Sequence, residues 1–354
     1  MTNRDRIDRL RKNKDLPDED FLALLEPLPE EDLAFLRTSA LEVCRETFGR
    51  TVYLRGLIEF SSFCKNDCLY CGLRRSNTRA DRIRLDLPGI LACCARGYGL
   101  GLRTFVLQSG EDPFFTDERL CTILSAVKEA YPDCALTLSV GERSHESYAA
   151  FKRVGADRYL LRHETADLTH YGALHPAEMS GSARQDCLFD LKALGYQVGC
   201  GMMVGSPYQE KGHLLSDLRF MQRLGPHMIG IGPFLPHRDT PFADRKSGSL
   251  DETLKLLALL RLMFPRVLLP ATTALGTLDL MGREKGLLSG ANVVMPNLTP
   301  AGIREKYLLY DGKIGVEDQA EKCCRDLKQR LEKAGFEVSV CRGDAPDWSA
   351  KEIK

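Results

Sequence analysis

From residue 51 onward the chain alternates short β-rich apolar runs with amphipathic helical stretches, a rhythm that restricts the fold more than any other feature. The runs 52–60, 104–108, 135–140, 159–162, 198–204, 228–232, 267–270 and 293–295 read as eight strands, with helices expected between them over 117–130, 147–154, 184–194, 213–224 and 250–264. Strands separated by helices imply βα units and a parallel sheet, and eight of them suit a closed (βα)8 TIM-type barrel, assigned here to residues 51–315. Ahead of it, Leu33, Leu36, Ala40, Cys44 and Phe48 recur at helical spacing and Gly49 supplies a stop, so residues 1–50 are expected as an N-terminal helical extension. After the eighth strand, a helix over 318–334 and the alternating Phe336, Val338 and Val340 predict a short C-terminal α/β appendage over 316–354, with a loosely ordered tail from Asp344.

Polar residues gather where the strands end: Gln108 to Asp112, Ser139, Arg162 to Thr165, Pro236 with His237, and Thr272 with Thr273. Each is singly as good a cap or turn residue. Their recurrence at equivalent places marks the C-terminal face of the barrel, where such folds hold their active sites.

Lys plus Arg equals Asp plus Glu at 49 each, so no overall field draws the chain to nucleic acid or an anionic membrane. The first residues lack an apolar signal, and the run 254–264 is interrupted by Lys255 and Arg261, so a cytoplasmic protein with neither nucleic acid nor membrane as partner is expected. Its thirteen cysteines are then expected to stay reduced. Cys44, Cys93, Cys94, Cys121, Cys134, Cys187 and Cys200 lie in apolar patterns and read as buried small hydrophobes.

Cys64, Cys68 and Cys71 differ from these, standing within eight residues just after the first strand. Thiolates so close can hold zinc or an iron–sulfur cluster. Structural zinc requires four closed ligands, and no second ligand pair follows; a four-iron cluster on three cysteines leaves one iron open for an external ligand. Structural zinc and unliganded buried thiols remain the competing readings. The glycines 97, 99 and 101 precede a strand and so fail the dinucleotide context, and no nucleophile elbow or phosphate-binding Gly-Lys-Thr loop occurs.

The spacing Cys64, Cys68, Cys71, with Tyr70 before the last thiol, resembles the radical S-adenosylmethionine (SAM) superfamily. The segments 58–64, 68–75, 106–113, 157–166, 230–237, 270–274, 282–284 and 291–297 resemble, more specifically, the FeFe-hydrogenase maturase HydE family, over roughly residues 50 to 315, with biotin synthase and methylornithine synthase as relatives. The resemblance implies one 4Fe-4S cluster on Cys64, Cys68 and Cys71, its open iron binding SAM, and a 5′-deoxyadenosyl radical formed by reductive SAM cleavage. It implies SAM contacts from Tyr70 beside the adenine, Gly110 and Glu111 near the amino group, Ser139, Glu164 near the ribose and Arg184 near the carboxylate. The loop 179–183 departs from the family pattern, which leaves a neighbouring basic group as an alternative to Arg184.

Arg162, Thr272 and Thr273 match the family's substrate pocket, although Arg162 could equally pair with Glu164. The implied reaction acts on a small organometallic or cysteine-derived species from a partner maturase, in assembly of the diiron subcluster. It requires a low-potential electron donor such as a ferredoxin or flavodoxin. Where family members carry a second cluster, this chain has Gly315 and the adjacent Cys323 and Cys324, which point about 100° apart on a helix, so no stable second cluster is expected. Met295 reads as core packing. Two alternatives stand beside this reading: another radical SAM mutase or sulfur-handling enzyme, like methylornithine synthase or biotin synthase, and a non-catalytic carrier or scaffold for an iron species.

Overall fold

Parallel pairing runs without interruption through Gly56–Ser61, Thr104–Ser109, Ala135–Ser139, Arg158–Leu160, Gln197–Cys200 and Met228–Ile229 in a computed structural model that describes residues 1–316 and 319–348. Single parallel bridges carry the ring onward from Met228 to Leu268, from Pro270 to Val293 and from Asn297 back to Leu57. Eight strand positions thus close on themselves as a TIM-type barrel. The seventh position is reduced to bridges because Pro270 has no N–H to give a ladder.

The run 52–60 reads as one strand but is two. Thr51–Leu54 lies between Val293–Val294 and Glu337–Ser339, whereas Gly56–Ser61 turns to Thr104–Ser109. A continuous apolar run records burial, not the identity of its neighbours.

Around the ring, helices are set by local chemistry. Asp86, Thr116, Ser144, Asp167, Ser180 and Ser249 each cap a helix with a side-chain oxygen. Ahead of the barrel the chain forms Asn3–Asn13, Asp18–Leu25 and Glu30–Phe48, the last packed along Leu250–Met263. Sandwiched between this extension and the barrel, Leu250–Met263 is buried at every residue from Thr253 to Met263. Lys255 and Arg261 survive there by donating to backbone carbonyls, Lys255 to Leu25 and Glu26 at 2.8 and 2.9 Å, Arg261 to Gly290 and Pro265 at 2.8 and 2.7 Å.

The C-terminal segment covers the opposite, N-terminal mouth. Helix Ala320–Lys333 leads to Glu337–Ser339, and residues 342–348 then cross the barrel floor. There the fully buried Arg158 donates to Asp344 (2.6 Å), to the Arg342 carbonyl (2.7 Å) and to Thr104 (3.0 Å), and Gln197 donates to the same Asp344 oxygen. The expected loose tail is therefore pinned as far as Trp348, whose indole donates to the Gly195 carbonyl at 3.1 Å. Residues 349–354 of that expectation, and the start of the helix at 318, lie outside the described residues. Of the seven cysteines expected in the core, Cys121 and Cys187 are only half-buried. Among the described residues, no helix is long and apolar enough to cross a membrane.

Candidate functional site

Cys64, Cys68 and Cys71 lie half-buried on the loop that leaves strand Gly56–Ser61 at the C-terminal mouth. The loop's shape is imposed by its own charges. Asp67 accepts two hydrogen bonds from Arg74 (3.0 and 2.7 Å) and one from the Ser76 amide, and the Arg74 pair holds its carboxyl well below the usual range. Arg82 donates to the carbonyls of Leu73 and Arg74 at 2.9 and 2.7 Å, and the Gly72 amide donates to the Leu309 carbonyl at 2.9 Å.

The donor set fits an iron–sulfur cluster. Burial pushes all three thiols up, Cys71 to about 12, and the neighbouring thiols add to it: Cys71 and Cys64 act on Cys68, and Cys64 on Cys71. Backbone hydrogen bonds from Asn66 and Glu111 to Cys64, and from Leu73 to Cys71, work the other way and favour thiolate, as a ligating sulfur requires. Gly110 lets the next loop approach, since a Cβ there would stand 2.3 Å from the Phe63 carbonyl oxygen and 2.9 Å from Cys64 Cβ. Among the described residues no group of three His, Cys, Asp or Glu side chains is placed to hold a single ion.

Beside the thiols, Tyr70 meets His175 edge-on, its hydroxyl 3.1 Å from Nε2. His175 Nδ1 lies 2.9 Å from the Tyr171 carbonyl, an acceptor, so Nδ1 carries the proton and Nε2 accepts from Tyr70. Burial drives His175 down to about 4 and keeps it neutral. Met179 brings its sulfur to 3.9 Å from Cys68.

A second set converges from three other loops and the helix Gly181–Ala193. Burial opposes the charge of Arg184, but Glu111 and Glu142, at 3.5 and 2.6 Å, outweigh it and hold the guanidinium well above its ordinary value. Arg184 Nε also donates to the Arg162 carbonyl at 2.7 Å. Glu111 is buried and meets Lys65 at 3.5 Å, and it is seated by Gly141, whose Cβ would collide with the Glu111 side chain at 1.9 Å. Glu164 adopts φ +66°, a left-handed conformation that costs a non-glycine residue about 1 kcal/mol.

Of the expected pocket residues, Arg162 does face Glu164, with Nη2 3.1 Å from Oε2, yet the geometry is not that of a hydrogen bond and both atoms remain buried and unsatisfied. Thr272 Oγ1 is likewise buried and makes no hydrogen bond among the described residues. Thr273 is not free: its hydroxyl accepts from Arg283 at 3.2 Å. Ser139 ends its strand half-buried, level with Gln108, and takes no part in the ion pairs among the described residues.

Sequence reasoning missed several groups. Glu142, His175 and Met179 carry no motif, and Tyr310, raised to about 12 chiefly by burial, feels both Arg283 and Arg162 from a distant segment. The same segment, residues 307–313, crosses the mouth and sets Lys313 against the buried Glu59 at 2.5 Å. Deeper in the barrel, Arg55 is buried, has no carboxylate ion-pair partner among the described residues, and lines a cavity with Thr137, Met228, Pro270 and Met295. Met295 is thus a cavity wall and not only packing.

No protein-family model matches the chain. It is 40% identical to the [FeFe] hydrogenase maturase subunit HydE of Thermotoga maritima, across 99% of this chain and 98% of that protein. It is 32% identical to the 3-methylornithine synthase of Methanosarcina acetivorans, across 91% and 90%. The crystal structure of methylornithine synthase (PylB) superposes with a TM-score of 0.82 at 28% identity, covering 94% of this chain and 97% of that one.

Proposed function

Because the chain belongs to the [FeFe] hydrogenase maturase HydE family, and through it to the radical SAM enzymes, we propose that it carries one 4Fe-4S cluster on Cys64, Cys68 and Cys71 and acts in assembly of the FeFe-hydrogenase diiron subcluster. Membership implies a 4Fe-4S cluster and SAM; their assignment to these residues is our own reading. The observation that carries it is the convergence of three mutually coupled thiols with the Glu111, Arg184, Glu142 array at one barrel mouth.

Cluster and SAM together supply one-electron cleavage of a sulfonium carbon–sulfur bond and hence a 5′-deoxyadenosyl radical. The protein's part is binding, orientation and exclusion of water. Glu111 and Glu142 around Arg184, with Lys65 on Glu111, make a charge-balanced array whose two carboxylates suit the sulfonium and ammonium of a ligand. Arg184 keeps donors for the ligand's carboxylate, and the strained Glu164 presents its unsatisfied oxygen for ribose hydroxyls. Tyr70, tied to neutral His175, offers a flat apolar face for the adenine. Gly110 provides the close approach beside Cys64, and Ser139 the rim of the same pocket. Arg162 and Thr272, with Thr273 behind Arg283, line the place for a small substrate bearing a carboxylate, and the segment 307–313 shields it from solvent. A cytoplasmic site, a low-potential electron donor and an exchange of substrate with another maturase complete the proposal.

Two measurements test it. Oxygen-free reconstitution with iron and sulfide, then SAM and dithionite, should release 5′-deoxyadenosine in the wild type; failure would leave only the carrier reading. Replacing HydE by this chain in hydrogenase maturation should restore hydrogen evolution. An inactive hydrogenase together with formation of 3-methylornithine would transfer the chain to the second relative's activity.

A further inference from the structure

Helix Lys211–Leu224 buries a carboxylate that the candidate site does not use. Asp217 is wholly buried, and among the described residues its only ion-pair partner is the equally buried His163. Its Oδ1 lies 3.1 Å from His163 Nε2 and accepts from the Ala166 amide at 2.5 Å, while Oδ2 is buried and makes no hydrogen bond among the described residues. His163 Nδ1 accepts from the Gly201 amide at 3.3 Å, so the ring's proton is on Nε2 and is donated to Asp217. Phe220, one turn along the same helix, packs on the imidazole with ring centroids 4.7 Å apart.

Burying a carboxylate without a Lys or Arg, and with one oxygen unbonded, works against stability. What Asp217 holds accounts for it. Between His163 and Ala166 stands Glu164, left-handed at φ +66°. The Glu164 amide donates to the Gly201 carbonyl at 3.1 Å, and the Glu164 carbonyl accepts from the Met203 amide at 3.3 Å. Gly201 is thus gripped through its N–H by His163 and through its C=O by Glu164, and it lies so close to the neighbouring backbone that a Cβ would stand 2.0 Å from the Gly230 carbonyl oxygen. A strained residue persists only where its surroundings over-determine it. Asp217 supplies two of those restraints at once, one on either side of Glu164. We propose that Asp217, acting through His163 and the Ala166 amide, is a positioning residue that holds the turn 163–166 so that Glu164 presents its carboxylate to the ribose of SAM. The inference rests on the radical SAM reading. Released into the right-handed or extended region, Glu164 would swing its side chain off Arg162, which it now faces at 3.1 Å.

A double-mutant cycle tests the assignment. SAM binding to the cluster-loaded protein is measured by equilibrium dialysis for the wild type, Asp217→Ala, Glu164→Ala and the double variant, and amide hydrogen exchange of residues 163–167 is followed without SAM. Asp217→Ala should weaken SAM binding at least about tenfold, the worth of one charge-assisted hydrogen bond, and speed exchange of the Ala166 amide at least about tenfold. In the Glu164→Ala background the same change should weaken binding by less than about twofold, because no carboxylate is left to aim. Asp217→Asn, whose amide oxygen can accept both hydrogen bonds, should restore affinity and protection. Should Asp217→Ala not fold, His163→Phe takes its place in the cycle with the Gly201 amide as exchange reporter, since a phenyl ring keeps the contact with Phe220 and removes the links to Asp217 and Gly201. Equal losses of affinity in both backgrounds would show that Asp217 supports only the fold and would overturn the proposal, as would Ala166 protection unchanged by Asp217→Ala. A wild type that binds no SAM would instead strike the radical reading, and the exchange measurement would still decide whether Asp217 holds the turn.

Discussion

The two mouths of the barrel are built from the same residue types and end in opposite conditions. At the floor, Arg158, Asp344, Arg342, Asp157 and Gln197 form a closed network in which both carboxylates are fully bonded, and burial of Asp344 is outweighed by Arg158 so that its carboxyl falls to about 2. At the top, Arg162, Glu164, Thr272 and Arg283 each keep a buried polar atom that makes no hydrogen bond among the described residues, although Arg162 and Glu164 face each other as an ion pair, and Glu164 holds a strained backbone. An unsatisfied buried group costs roughly 1–3 kcal/mol. Both floor carboxylates are bonded although Arg158 Nε is not, whereas Glu164 at the top keeps an oxygen with no hydrogen bond among the described residues, and that difference separates the part of the barrel that stabilises from the part that awaits a ligand.

Four experiments would break or sharpen that contrast. The largest effect is at the top: Cys68→Ala should lower SAM cleavage by more than about 10³-fold, because the cofactor supplies the chemistry, while denaturant unfolding of the metal-free protein stays unchanged. Retained cleavage would remove the cluster assignment. At the floor the expectation is reversed. Asp344→Ala strands Arg158 in the interior and should cost about 3–5 kcal/mol in urea unfolding, with turnover per folded molecule preserved. An activity loss without a stability loss would erase the distinction between the mouths.

His175 gives the third. Its folded-state pKa of about 4 lies below the ordinary 6.5, so the unfolded chain takes up the proton first. Stability is intact above pH 6.5 and should fall as pH drops from there toward 4, by up to roughly 3 kcal/mol, a slope that His175→Gln should flatten. Parallel curves for the two proteins would show that His175 is not neutral in the fold. The smallest effect is Thr272→Val, which deletes a hydroxyl that bonds to nothing: unfolding should be unchanged or improved by up to about 1 kcal/mol, whereas binding of a carboxylate substrate should weaken. A destabilised variant would mean that the hydroxyl already has a partner.

What the sequence disclosed follows the range of each interaction. The eight strand positions and the cysteine loop are local patterns, and both are legible in composition and spacing. Thr51–Leu54 could be read as a strand but not as the neighbour of Glu337–Ser339, because pairing between such distant segments leaves no periodic trace. The Arg162 to Glu164 contact is legible as an alternative in the sequence because buried charges are so often paired, although Glu164 lies beyond strand Arg158–Leu160 in a left-handed conformation. Glu142, His175 and Tyr310 were invisible for the opposite reason: each reaches the site from a loop whose placement depends on the closed ring. Thr273, chosen for its resemblance, turned out to be bonded to Arg283, a partner that only the fold brings near.

The strand Thr51–Leu54 carries a consequence for synthesis. Both of its neighbours, Val293–Val294 and Glu337–Ser339, leave the ribosome after nearly all the intervening chain, so the staves cannot be hooped until translation is almost over. The cysteine turn is held partly by its own Asp67 and Arg74, but the bond from the Gly72 amide to the Leu309 carbonyl means that its last support also arrives late.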